Sequence, residues 1–581
     1  MLNSAIEREK SLSLGYIPEI VNYLIMSMRL SPNLEKAVEF AAVHGRGKIA
    51  EDFKTLVYYV QIGKYESVEE GLDDLAYRWG IVSDEFKQSL MILRSSVLEN
   101  DKGRKEALLE KALKDVLEGS KEKMEGYARA LHQPTVLLYY FGILLPLMLA
   151  IILPIAGSLS GDQNSILGQA WFVILIYNIL IPIGIYTYGK MILTSRPPTY
   201  VPPRVGTDFP GLSKPGTVKF AGIQFNTFLL SLLIFFAFVF TGYYIDKGIY
   251  SSWQNFERSS MLHSTLYLKW GFLVNPPDTH GTIIPIYFIS RFSIYGFLLG
   301  LAMAISFYLW ATYSERKRIQ DEIRAMEGEF KDAIYVLASR LGENKPMEQA
   351  LKSAVEFQPR SIMAQKVFRK ILDNITTLGM TVETAIFDRT FGAVRLIPSK
   401  IIRSGLKVMS DSVGLGVNVA AKSIINLSIQ IRDAQKIDEN LRKMLSEITS
   451  MLSTMATFVA PIVLAVVAVM QSVILGSIGN SSGSGALQSN FNSGASSQLG
   501  GLSSFSGFLS SSATQNTVDP ATFSLIMGVY VLEIVILLTF LNSQIEDSNN
   551  DLSTYLNIAG SVPIATLMFC ISSFIVGLFL K

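Results

Sequence analysis

Few side chains in this sequence are placed where they could do chemistry, and none forms a catalytic arrangement. Inside the long apolar stretches only Glu533, in YVLEIVILL, sits well away from either end. Arg291 lies in the first turns of its own stretch, from which a long side chain can reach the boundary. An ionised carboxylate at a bilayer midplane costs about 2.5 kcal/mol or more. Glu533 is therefore expected to be protonated or partnered, for instance by Asn178 on another helix; a proton- or ion-binding role is the alternative. The four histidines (His44, His132, His263, His280) are far apart and lack metal-ligand spacing, and the single cysteine, Cys570, lies in an apolar run. No intrachain disulfide and no thiolate zinc site follow. HGRGKIA (44–50) lacks the first glycine, the spacing and the Ser/Thr of a phosphate-cradling loop. GxGxxG, HExxH and GxSxG are absent as well. No cofactor and no enzymatic activity are expected.

One further group is electrostatic. Between 360 and 407, Arg360, Lys366, Arg369, Lys370, Arg389, Arg395, Lys400, Arg403 and Lys407 face only Asp373, Glu383 and Asp388. Such a run can be a solvated face, a dock for an acidic partner protein, or a contact for anionic lipid headgroups. The whole chain carries a net charge of only +2, which gives no footing for nucleic acid.

The elements that position these residues follow from composition. Charged residues make up 17% of 581, against about 25% in a soluble protein, and mean hydropathy is positive. Long stretches hold no charge while two blocks hold most of it. Roughly 20 apolar residues cross a bilayer as a helix. Seven runs qualify: 135–156, 169–189, 221–243, 283–311, 451–477, 521–541 and 557–580. Pro146, Pro154, Pro182, Pro461 and Pro563 within them are tolerable where packed neighbours satisfy the freed carbonyls. No secretory signal peptide is read in residues 1–30, which are charged and then amphipathic.

Orientation follows from Lys and Arg in the short connections. The 190–219 connection carries Lys190, Arg196, Arg204, Lys214 and Lys219 against Asp208, and is predicted to be cytoplasmic. The 157–168 and 478–520 segments have no basic residue and are predicted to be external. Alternation then places 1–134 and 312–450 inside and the C-terminus outside. The 244–282 loop becomes external although it holds Lys247, Arg258 and Lys269, offset by Asp246, Glu257 and Asp278. The 542–556 connection becomes internal, yet it holds acids and no Lys or Arg. Segment 478–520, rich in Ser, Gly, Asn and Gln, is read as a flexible cap; folding against a partner is the alternative.

The fold class is thus all-α: a polytopic membrane protein with seven transmembrane helices and two cytoplasmic helical bundles. Its segments are a bundle at 1–134, a membrane hairpin at 135–189, a cytoplasmic loop at 190–220, and two membrane helices with an external loop at 221–311. A second bundle at 312–450, a membrane helix at 451–477, the external 478–520 loop and two membrane helices at 521–581 complete the chain. Apolar residues at Ile17, Ile20, Val21, Leu24, Ile25 and Met28 mark one buried helix face. Ser31-Pro32-Asn33 ends it, and Asn33 can cap LEKAVEFAA. In the second block FKDAIYVLASRL (330–341), a Gly342-Glu343-Asn344 turn and PMEQALKSAV repeat the idea, with Pro346 in the first helical turn.

The two blocks also match each other. MRLSPNLEKAV (28–38) aligns with SRLGENKPMEQAL (339–351), ESVEEGL (66–72) with MTVETAI (380–386), and LLPLMLAIILPI (144–155) with VAPIVLAVVAVM (459–470), Pro146 on Pro461. A nearly constant offset reads as a duplicated unit of helical domain plus membrane helices.

A duplicated all-helical domain followed by membrane helices resembles the type II secretion F-domain family. These are the inner-membrane platform proteins of type II secretion systems, type IV pili and archaella. The resemblance, closest to the archaeal members, implies a platform driven by a separate hexameric ATPase. Its cytoplasmic domains receive motion, its membrane helices move pilin-like subunits into a filament, and it works as a homodimer among membrane lipids. Archaellum platforms usually carry membrane helices ahead of the first domain, whereas this sequence starts at that domain. Either the start is internal or this is a pilus or secretion relative with a shorter front end. A solute transporter or channel is the alternative from another class, and it would need charged or unwound midplane segments. A membrane sensor would need an external ligand domain, for which 244–282 is barely long enough.

Overall fold

The computed structural model describes residues 14–150, 169–194, 202–257, 291–481 and 520–579, short gaps at Ser31, Arg46, Leu415, 548–549 and within 204–222 apart. The 157–168 segment, residues 482–519 of the 478–520 segment, most of the 244–282 loop with His263 and His280, and the start of the 283–311 run lie outside the described residues. The first block comprises α1 (Ile17–Leu30), α2 (Leu34–His44), α3 (Gly47–Gln61), α4 (Val68–Gly80), α5 (Asp84–Val97) and the front of α6 (Lys102–Ala150). Next come α7 (Ala170–Leu193), β1 (Thr217–Phe220), β2 (Ile223–Asn226) and α8 (Thr227–Glu257). A second block is built from the back of α9 (Arg291–Gly342), α10 (Met347–Phe357), α11 (Arg369–Leu378), α12 (Val382–Phe387), α13 (Lys400–Val413) and the front of α14 (Val417–Gln471). The last two helices are α15 (Pro520–Glu546) and α16 (Asp551–Phe579).

Seven of these helices are long and apolar enough to cross a membrane: α6, α7, α8, α9, α14, α15 and α16. All seven fall on the apolar runs read from the sequence. One boundary moves. The 221–243 run begins its helix at Thr227, because Ile223–Asn226 pairs antiparallel with Thr217–Phe220, Thr217 opposite Asn226 and Phe220 opposite Ile223. Alternating Val218, Phe220, Ile223 and Phe225 suit a strand. Gly216, at φ 81°, accepts from both the amide and the hydroxyl of Thr227 and closes the loop.

No break separates the blocks from the membrane helices. At 1.5 Å per residue the 52 residues of α9 run about 78 Å, more than twice a hydrocarbon core of about 30 Å. Helices α6 and α14 do the same, each carrying a polar half and an apolar half in one rod.

Prolines shape these rods. Turns of π-helix at Tyr140–Leu144, Leu175–Leu180 and Met455–Val459 each end two residues before a proline: Pro146, Pro182 and Pro461. A proline offers no N–H and crowds the carbonyl four residues back. Widening the preceding turn relieves that clash. The carbonyl that Pro146 cannot reach, that of Gly142, accepts instead from the Tyr530 hydroxyl of α15 at 2.7 Å. The Tyr177 hydroxyl donates to the Pro146 carbonyl at 3.0 Å. Tyr177 and Tyr530 pack edge to face, so α6, α7 and α15 are joined by two hydrogen bonds and one ring pair.

Local signals set the block helices. Asn33 accepts from the Lys36 amide at 3.1 Å and caps α2, as its sequence position predicts. Asn344, at φ 58°, takes the left-handed position beyond α9. Pro346 is the N-cap residue of α10 rather than part of its first turn, since the helix starts at Met347.

Burial in the two blocks runs in parallel. Leu34, Ala37, Val38, Ala41 and Ala42 are buried in α2; Met347, Ala350, Leu351, Ala354 and Val355 are buried in α10 at the same spacings. Phe86, Ser89, Leu90, Leu93 and Ser96 in α5 have counterparts in Ile402, Gly405, Leu406, Met409 and Ser412 in α13. Ser83 and Ser399 cap those two helices, and Ser67 and Thr381 cap α4 and α12. The largest difference is α12, six residues against thirteen in α4. Buried apolar residues of both blocks form one continuous core, with α1 and α6 packed against α14.

Candidate functional site

The second block meets the membrane helices at a cluster of charge. Its centre is Asp547, in the short connection between α15 and α16, with only 11% of its side chain exposed. Arg324 on α9 donates to one carboxylate oxygen at 3.2 Å, and Arg442 on α14 lies 2.7 Å from the other. The Arg442 contact is an ion pair without hydrogen-bond alignment, since that oxygen has no aligned donor. Asn550 reaches the same carboxylate at 3.4 Å, and Arg442 also pairs with Asp438 at 2.9 Å. Burial pushes the Asp547 pKa up, but Arg324 and Arg442 outweigh it and hold the group below its ordinary 3.8. One carboxylate therefore ties together the rod that leads into the second block, the rod that leads out of it, and the turn between the last two membrane helices. A second contact lies nearby: Gln320 of α9, buried, donates to the Pro203 carbonyl at 3.1 Å and fixes the 190–219 connection against the same rod.

This junction was missed by sequence reasoning, although a signal for it existed. The 542–556 connection has acids and no Lys or Arg, against the charge rule. Its positive partners are supplied by α9 and α14 instead.

The basic run 360–407 divides. Lys366, Arg369 and Lys370 are exposed on the helix that ends in α11, and Arg360 and Arg389 are exposed in flanking turns. Lys366 is already paired with Glu322 of α9, and Arg369 donates to Gln365 at 3.2 Å. Lys400 and Arg403 are exposed on α13. Arg403 donates to the Ile397 and Val394 carbonyls at 3.3 and 3.1 Å, and Arg395 to the Thr390 carbonyl at 2.9 Å, so both brace the 388–399 loop. Asp388 starts that loop; hydrogen bonds from the Thr390 hydroxyl and the Phe391 and Thr390 amides hold its pKa at about 2. Lys407 is half-buried between Glu383 (2.7 Å) and Asp411 (3.0 Å), at the seam where His44 of the first block approaches. Burial is the main cause lowering the His44 pKa from 6.5. The nine residues are thus not one patch. Arg360, Arg369, Lys370, Arg389 and Lys400 remain outward; Lys366 is exposed but paired with Glu322; Lys407, Arg403 and Arg395 hold the block together.

Glu533 is half-buried in α15, and its Oε2 has no hydrogen-bond partner among the described residues. The Asn178 side-chain oxygen has none either, so the expected bond between them is not made. Among the described residues no group of His, Cys, Asp and Glu is arranged to hold a metal ion.

Comparison with known proteins returns no match: no family model, no curated protein and no solved structure aligns with this chain.

Proposed function

We propose that this chain is the membrane platform of a filament-building machine of the type II secretion, type IV pilus or archaellum kind. The two blocks are a duplicated unit, a reading supported by the parallel burial of α2 with α10 and α5 with α13, and by π-turns and prolines at matching places in α6 and α14. Both blocks and the N-terminus face the cytoplasm and the C-terminus lies outside. The contacts of Asp547 and Pro203 with the second block favour one side for 190–219, 312–450 and 542–556. A cytoplasmic ATPase moves the blocks, and the membrane helices pass that motion to pilin-like subunits, with two copies of the platform working together.

The observation that carries this reading is mechanical. Helices α6, α9 and α14 run unbroken from block to membrane, and Asp547 clamps two of them to the α15–α16 turn. A push on the second block is then a push on membrane helices. The outward basic residues are the docking face for an acidic motor surface. Exposed pairs contribute about 0–1 kcal/mol each but together set orientation and association rate. They are screened over about 8–10 Å at moderate salt. Co-purification of the full chain with its ATPase should weaken as ionic strength rises. Reversing Lys366, Arg369 and Lys370 to Glu tests this, with one refinement: Lys366→Glu would face Glu322, so Arg360→Glu/Arg369→Glu/Lys370→Glu is the cleaner variant. Normal ATPase binding and normal filaments in that variant would reject the docking face.

A transporter reading draws on Glu533 and Asn178, whose buried oxygens lack partners. Loss of ion flux or proton coupling in Glu533→Gln would favour it.

A further inference from the structure

A groove of about 450 Å³ runs along the contact of α9 and α16, where the Ser306 hydroxyl of α9 donates to the Ala559 carbonyl of α16. That is within the roughly 300–1,000 Å³ of sites that hold small molecules. Its character changes along its length. One end is walled by Trp310, Leu556, Ala559 and Gly560, at the edge of the apolar part of α9. Gly560 carries no side chain, and a Cβ placed there would meet nothing within 4 Å, so the groove is open at that point. Trp310 is 57% exposed, as expected of an indole at a membrane boundary. The other end holds Ser314, Lys317, Arg318 and Asp321. Eight residues along α9 from Trp310, Arg318 stands about 12 Å further from the apolar region.

Charge at this end is unbalanced. Lys317 pairs with Asp321 at 2.8 Å and reaches Gln320 at 3.5 Å. Arg318 is exposed and makes no ion pair among the described residues. The lining therefore has one cation in excess, set where a phosphate would lie if an acyl chain ran along Trp310 and Gly560. A guanidinium presents paired donors that suit phosphate oxygens. A zwitterionic headgroup would bring its own cation to compete with Arg318; an anionic one would not.

We propose that this groove binds one anionic phospholipid, its phosphate on Arg318 with Lys317 beside it and one chain against Trp310 and Gly560. The site rests on the apolar helices alone and does not depend on the platform reading.

The test uses the full chain in mixed micelles with Trp171→Phe, Trp253→Phe and Trp270→Phe, which leaves Trp310 and the buried Trp79. Tryptophan emission is titrated with brominated phosphatidylglycerol and, separately, brominated phosphatidylcholine. The anionic lipid is expected to quench at about fivefold lower mole fraction, the weight of one basic residue near a membrane surface. Arg318→Gln should abolish that preference, Arg318→Lys should keep most of it, and Asp321→Asn should enlarge it by releasing Lys317. Gly560→Leu should weaken quenching by both lipids by filling the groove. Circular dichroism checks that each variant is folded. Equal quenching by both lipids in the parent chain would overturn the proposal. So would a preference that survives Arg318→Gln/Lys317→Gln, or relief of phosphatidylglycerol quenching by soluble glycerol phosphate, which would mark the ligand as a free phosphate.

Discussion

Asp547→Asn keeps the size of the side chain at the junction and removes the charge that Arg324 and Arg442 share. A hydrogen bond to a charged group contributes about 1.5–3 kcal/mol. The full cost of breaking a buried pair, about 3–5 kcal/mol, does not apply. The two guanidinium side chains remain 33% and 27% exposed, and Arg442 keeps Asp438. A loss of about 2 kcal/mol, or about thirtyfold in the folding equilibrium, is expected. The assay is unfolding of the purified chain in micelles of rising dodecyl sulfate fraction, run as a double-mutant cycle with Arg442→Gln. A coupling of about 1 kcal/mol is predicted; additivity within about 0.3–0.5 kcal/mol would refute the clamp. Acid supplies an independent check. The folded pKa of Asp547 lies below 3.8, so its stabilisation is complete above the ordinary carboxylate range and is lost as pH falls through the lower folded value. The gap between parent and Asp547→Asn should close below about pH 4 and stay constant at neutral pH.

Three further substitutions probe the membrane helices. Tyr530→Phe leaves the Gly142 carbonyl, which Pro146 cannot serve, without its donor; a loss of about 1–3 kcal/mol in the same assay is expected, and no loss would mean another donor replaces it. Gly296→Ala puts a Cβ 2.9 Å from both the Gly242 Cα and the Phe238 carbonyl oxygen, so α8 and α9 must separate; about 1–3 kcal/mol should be lost, and a neutral result would contradict the close helix contact. Glu533→Gln removes an ionisable group whose Oε2 has no partner among the described residues, and should leave expression and, on the platform reading, filament assembly unchanged; abolished assembly at normal expression would assign it a proton- or ion-linked role.

Apolar run length was enough to find all seven candidate spans, and polar cap chemistry was enough to find the start of α2 at Asn33. Both signals are local. The match of ESVEEGL to MTVETAI is visible because Ser67 and Thr381 perform the same capping. The match of α5 to α13 is not, because DEFKQSLMILRSSV and KIIRSGLKVMSDSV share burial pattern rather than residue type. The two strands were hidden because β1 fell in the segment read as the 190–220 loop and β2 in the 221–243 apolar run, where strand and helix read alike until length decides. Of the sites, the basic run was legible as charge. Its division was not, since Lys407 is held not only by Asp411 one turn along its own helix but by Glu383, which only the fold brings beside it. Asp547 was out of reach for the same reason, with partners more than 100 residues away along the chain.

A cytoplasmic motor can reach the second block only if that block lies on the cytoplasmic side of the membrane, and substituted-cysteine labelling measures that directly. Cys570 is buried and provides a quiet background. Arg369→Cys, on the outward face of the second block, and Tyr77→Cys, 62% exposed in the first, should react with a membrane-impermeant maleimide only after the membrane is permeabilised. Ser503→Cys, in the 478–520 segment, should react in intact cells. Labelling of Arg369→Cys from outside intact cells would contradict the account, because no cytoplasmic motor could then reach the block.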